Sequence, residues 1–77
     1  MLSLKFYAEE CYNAVVREIS KSYIEDRPAH TSEIIRDWKC CAAEHFDELS
    51  VEEVDRKFDE LYKQVEQEHL HEALAYA

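Results

Sequence analysis

The sequence predicts an all-α fold, a small three-helix domain with helices at about 3–24, 33–49 and 51–75. Three observations carry that prediction. Apolar residues recur at three- and four-residue intervals through each stretch, the period of a helix with one buried face. Glycine is absent and proline occurs once, as Pro28, so the residues that make tight hairpins are nearly missing. Ser50 followed by Glu53 forms a capping box, the mark of a helix beginning in mid-chain.

In the first helix Leu4, Ala8, Cys11, Val15 and Ile19 make the stripe, widened by Tyr12, Val16 and Tyr23. Ser3 is placed to cap it, its hydroxyl accepting from a free amide of the first turn. Asp26-Arg27-Pro28 is expected to end it, because proline disfavours the α conformation in the residue before it and has no amide hydrogen. The second helix is expected to open after Thr31 or Ser32. Ile34, Ile35, Trp38, Cys41, Ala42, His45, Phe46 and Leu49 then follow at helical spacing. Trp38 is expected at the centre of the core, since a buried indole covers more area than its neighbours. The Ser50–Glu53 box, with Leu49 and Val54 as a hydrophobic staple around it, starts the third helix at Val51. There Val51, Val54, Phe58, Leu61 and Val65 alternate in steps of three and four, a phasing suited to a coiled-coil-like seam. Leu70, Ala73, Leu74 and Ala77 continue on a rotated face.

The 77 residues make one domain, 1–77, with 47% hydrophobic residues, enough for a core and too many for a disordered acidic tail. A domain of this size buries only about 60% of the surface its unfolded chain exposes, which leaves little room for a deep catalytic pocket. Dimerisation, a common remedy for small chains, stays open. Cys11, Cys40 and Cys41 are an odd number with two adjacent, a poor disulfide framework, so reduced thiols in a cytosol-like compartment are expected. The opening MLSLKFYAEE has no secretory pattern, and no run approaches the ~18 apolar residues of a membrane span. A cytoplasmic protein that does not enter a membrane is expected.

Charge is the most informative feature. Eighteen acids against nine bases give a net charge of −9, which argues against direct binding to nucleic acid or to an anionic membrane surface. Residues 1–43 hold seven acids and six bases, whereas residues 44–77 hold eleven acids and three bases. Glu44, Asp47, Glu48, Glu52, Asp55 and Asp59 are the candidate partner-binding residues. Glu52, Asp55 and Asp59 form one row on the third helix, about 4.5–6 Å apart along its axis, a spacing on the scale of nucleic-acid phosphates. Read plainly, such a row is a solvated helix face; read functionally, it occupies a basic, nucleic-acid-type groove on another protein. Tyr7, Tyr62 and Tyr76 are the aromatics expected at the surface, and Tyr62, Leu70 and Leu74 are candidates for an apolar interface.

Metal and nucleophile patterns are weak. Cys41 and His45 stand at i, i+4 with Asp37 a turn earlier, but His45 shares the stripe of Trp38 and Leu49 and reads as a packed histidine. Glu66-x-x-His69 and Glu68-x-x-His71 each match half of a carboxylate di-metal motif that needs a second copy on another helix. Cys40 has His45 five residues on, off its own face, and no glycine-shaped oxyanion loop accompanies it. No metal, cofactor or enzymatic activity is expected.

Residues 23–49, YIEDRPAHTSEIIRDWKCCAAEHFDEL, carry Glu25-Asp26 at a break, then Glu33-Ile34-Ile35 opening a helix. Ala42-Ala43 and His45-Phe46-Asp47-Glu48-Leu49 complete the pattern. This segment resembles small acidic phage-encoded helical proteins of the Ocr-like antirestriction type, which are DNA mimics. The resemblance implies a helical protein that blocks a host DNA-binding enzyme by presenting carboxylates where phosphates would sit, with no catalytic residue to carry over. The shorter length and nine basic residues point to mimicry of a short stretch, or to an acidic inhibitor of one host protein, in the host cytoplasm. The alternative is an acidic helical adaptor that grips its partner through apolar contacts.

Overall fold

The computed structural model describes the backbone of residues 3–21 and 23–75 and the side chains as far as His71. Ser3 opens the first helix as expected: its hydroxyl accepts from the Phe6 amide at 3.2 Å, and α1 runs Leu4–Ile19. It ends before the expected boundary at 24. The Ser20 hydroxyl donates to the Arg17 carbonyl at 2.9 Å and the Lys21 amide to the Glu18 carbonyl at 3.0 Å, closing the last turn. Beyond it the chain has nothing to bury: Tyr23 and Ile24 are each 78% exposed, so Tyr23 does not widen the stripe, and neither does exposed Val16.

A short 3-10 turn, Ile24–Asp26, leads directly into α2, Arg27–His45. The second helix therefore starts well before the expected 33, and Pro28 begins it rather than marking a break. In the first helical turn the missing amide hydrogen has no intrahelical partner to lose, and the fixed φ is already helical. Ser32 is accordingly no cap; its hydroxyl donates back to the Pro28 carbonyl at 3.0 Å within the helix. The helix closes at His45, short of the expected 49, where the Phe46 amide donates to the Ala42 carbonyl at 2.9 Å.

The third start falls where the sequence places it. The Glu53 amide donates to the Ser50 hydroxyl at 3.2 Å, the hydroxyl reaches the Glu53 carboxylate at 3.3 Å, and α3 runs Val51–Ala75. Glu52 and Glu53 in its first turn favour the helix dipole. Among the described residues the architecture is thus all-α, with three helices and no strand.

α1 is the central helix. It packs on both α2 and α3, while those two meet one another more sparsely. Its small buried residues, Ala8, Cys11 and Ala14, permit close approach, and Val15 completes the face. Against them stand Val54, Phe58 and Val65 of α3 and Ala42 of α2, all fully or almost fully buried. Phe58 is the largest fully buried side chain, so it takes the central place expected of Trp38. Trp38 is half-buried at the edge, its ring 6.2 Å from that of Tyr7. Tyr7, expected at the surface, is half-buried too and also contacts His45 and Phe46. His45 and Cys41 fall on the exposed side of α2, so His45 is not the core histidine of the sequence reading. Lys5 at the start of α1 reaches Glu68 near the other end of α3 at 3.4 Å, a contact spanning 63 positions.

Candidate functional site

The carboxylate row lies on the side of α3 that faces α2, and there it meets a lysine. The Lys39 ammonium donates to an Asp55 carboxylate oxygen at 2.7 Å and to one of Asp59 at 2.8 Å. Helical spacing explains the bridge: Asp55 and Asp59 are one turn apart, and Lys39 projects from α2 between them. Partial burial pulls the Lys39 ammonium down, but hydrogen bonds and charge from Asp55 and Asp59 outweigh it and hold the pKa above its usual 10.5. Two of the three row carboxylates are therefore engaged within the fold, and the row is not a bare ladder of negative charge. Nothing in the spacing of α3 shows this bridge. The available signal is that Lys39 sits beside the apolar stripe of α2, one turn from both Ile35 and Ala43.

The remaining candidates gather where α2 ends and α3 begins. Glu44, Asp47, Glu48 and Glu52 are all exposed, and none makes an ion pair or side-chain hydrogen bond among the described residues. Glu44 lies in the last turn of α2, Asp47 and Glu48 occupy the tight turn in which the Leu49 amide donates to the Phe46 carbonyl, and Glu52 lies in the first turn of α3. Two capped helix ends thus hold four carboxylates on one corner.

Beside this corner, α2 and α3 flank an open groove of about 480 Å³. Ala43, Val51, Val54 and Cys40 give it a mostly apolar lining, with Glu44, Glu52, Arg36 and the Lys39–Asp55 bridge around it. Val51, expected in the buried seam, is 70% exposed here. As the first helical residue it precedes the turn that docks on α1, which leaves its side chain facing the groove rather than the core.

The apolar-interface candidates separate. Tyr62 is half-buried beside Tyr12, ring centroids 5.9 Å apart, and burial pushes its phenol up to about 12. Leu70 is 61% exposed and available to a partner. The side chain of Leu74, and Tyr76 altogether, lie outside the described residues. Cys11 is buried in the core, and burial raises its thiol to about 12, whereas Cys40 and Cys41 are free and exposed. Among the described residues no group of three His, Cys, Asp or Glu side chains is placed to hold a metal ion. No described helix is long and apolar enough to cross a membrane. No family model, curated protein or solved structure matches the chain.

Proposed function

We propose that the protein is an acidic binding module of the host cytoplasm, an inhibitor that seats its corner carboxylates in the basic, nucleic-acid-binding groove of a host protein. The observation that carries this reading is the set of four exposed carboxylates, Glu44, Asp47, Glu48 and Glu52, unpaired among the described residues, at the α2–α3 corner. Fixed on two helix ends, they offer a compact anionic surface in place of phosphates, without the cost of ordering a flexible tail. This is a short-stretch version of the nucleic-acid mimicry that the Ocr-like resemblance implies, and no catalytic step or cofactor belongs to it. Because Lys39 already engages Asp55 and Asp59, the corner and not the row of α3 makes the contact.

The test is capture of partners from host lysate, eluted by a salt gradient and challenged with excess DNA or RNA. Binding by this route weakens steeply with salt and is displaced by nucleic acid. Neutralising the corner with Glu44→Gln, Asp47→Asn, Glu48→Gln and Glu52→Gln is expected to abolish it. Neutralising Glu9, Glu25, Asp37 and Glu66 changes net charge equally and is expected to matter far less. Equal loss in both variants would leave only a general field effect. The second reading, an adaptor gripping through apolar contacts, is favoured by exposed Leu70 and Val51; its mark is capture that persists in high salt.

A further inference from the structure

The groove between α2 and α3 adds a requirement that charge alone does not impose. Buried Val54 and half-buried Ala43 form its apolar floor, and Val51 leaves most of its surface uncovered at the lip. Glu44 and Glu52 stand at the corner end of that lining, one from each helix and neither with a partner among the described residues. Lys39, bound to Asp55, closes the opposite end, and exposed Arg36 stands beside it. An occupant therefore meets an aliphatic surface with unneutralised negative charge at one end and, at the other, two cations balanced by Asp55 and Asp59.

We propose that the groove takes one aliphatic side chain from a basic segment of the partner protein, flanked on the corner side by a lysine or arginine that lies between Glu44 and Glu52. The proposal rests on the reading above, that the partner brings a basic surface to the corner, and it specifies what that surface carries. A nucleic-acid backbone offers nothing to the apolar lining, so this contact is one that a protein groove makes and a phosphate ladder does not. The direction follows from charge balance, because Arg36 and Lys39 offset Asp55 and Asp59 at the far end and only Glu44 and Glu52 leave negative charge for a cation.

The test uses two synthetic peptides of equal length and charge, each with lysines on one side of a central residue that is leucine in one and serine in the other. Titrated into the whole protein, the leucine peptide is expected to bind roughly tenfold or more tightly, the scale of burying one aliphatic side chain. Val51→Ser is expected to remove most of that advantage while leaving the serine peptide unchanged. Val51 is exposed, so the fold should survive, which a circular dichroism melt checks. Alkylation of Cys40 in a Cys41→Ser background gives a second readout, slowed by the leucine peptide and not by the serine one. Equal affinity of the two peptides overturns the groove proposal and leaves the electrostatic reading standing. A leucine advantage that persists in Val51→Ser also overturns it, since the anchor then lies elsewhere. Binding of neither peptide overturns both readings.

Discussion

The two faces that α3 presents to the rest of the molecule are built on different physics. Toward α1 it turns Val54 and Phe58, which pack with Cys11 and Val15 in a buried apolar cluster. Toward α2 it turns Asp55 and Asp59, which meet one lysine, and beside them the two helices leave a groove open. On the first face this cluster is insensitive to salt and intolerant of any change in volume. The second is directional, half-exposed and screened by ions. The difference teaches where this small protein keeps its stability and where it has surface to spare: the interior is built around α1, and the α2–α3 face is free to contact something else.

The sharpest way to break this comparison is Phe58→Ala, which is expected to cost about 3–5 kcal/mol and to unfold much of the population. Trp38→Ala, at the half-buried edge, is expected to cost about 1–2 kcal/mol, the area term without the central cavity. Chemical denaturation of the two variants settles the order, and a larger loss at Trp38 would move the core to α2.

Alkaline titration probes both faces at once. Cys11 and Tyr62 release their protons in the folded chain only near about 12, against ordinary values of 9.0 and 10.0, so between those limits the unfolded chain binds fewer protons. Lys39 is held above 10.5 in the folded chain, so its contribution is complete below that pH and lost as pH rises through the raised value. All three effects have the same sign, and stability is expected to fall steadily from pH 9 to 12. Cys11 alone accounts for a fall on the order of 3 kcal/mol by pH 12. Denaturant midpoints across that range measure it, and Cys11→Ala should remove the part of the fall that begins near 9.

Lys39→Met keeps most of the aliphatic stem and deletes the charge that joins α2 to α3. It is expected to cost about 1.5 kcal/mol at low salt and less in molar salt, because the carboxylates it leaves behind are half-exposed. The same substitution frees Asp55 and Asp59, so capture of a basic partner should strengthen as the fold weakens. A variant that loses stability equally at all salt concentrations would show that the lysine acts through packing.

Ser50→Ala is the smallest expected effect, about 1 kcal/mol, through loss of the acceptor for the Glu53 amide. Hydrogen exchange should show it as fraying of the turn that carries Val51 and Glu52, with Phe58 protected as before.

Local signals made much of this fold legible. Ser3 and the Ser50–Glu53 box declare their helix starts through contacts made within three residues, and the stripe Ala8, Cys11, Val15 repeats at the helical period. Pro28 was ambiguous by nature: the same ring stops a helix from inside and begins one from its first turn, and only the turn Ile24–Asp26 ahead of it decides which. Trp38 has the size of a core centre, but α2 is rotated so that Ala42, not the indole, faces α1 and α3. That rotation also brings Lys39 to Asp55 and Asp59. A pairing between helices depends on how each is turned about its axis, and periodicity fixes the stripe of a helix without fixing what its flanks will touch. The acidic corner was legible as composition; the groove beside it was not, because it is a gap between two elements.

The placing of α1 at the centre has a consequence in time. α1 is synthesised before α2 and α3, and Cys11 and Val15 find their apolar cover in Val54 and Phe58, which emerge only with α3. Until then the nascent chain can assemble α1 on α2 and no more, with half of the α1 face open to water. Lys5 and Glu68, 63 positions apart and joined at 3.4 Å, belong to the last closure. Completion of the α1 packing is therefore expected to wait for α3 and to be governed by one long loop closure, slower than the helix content alone would suggest.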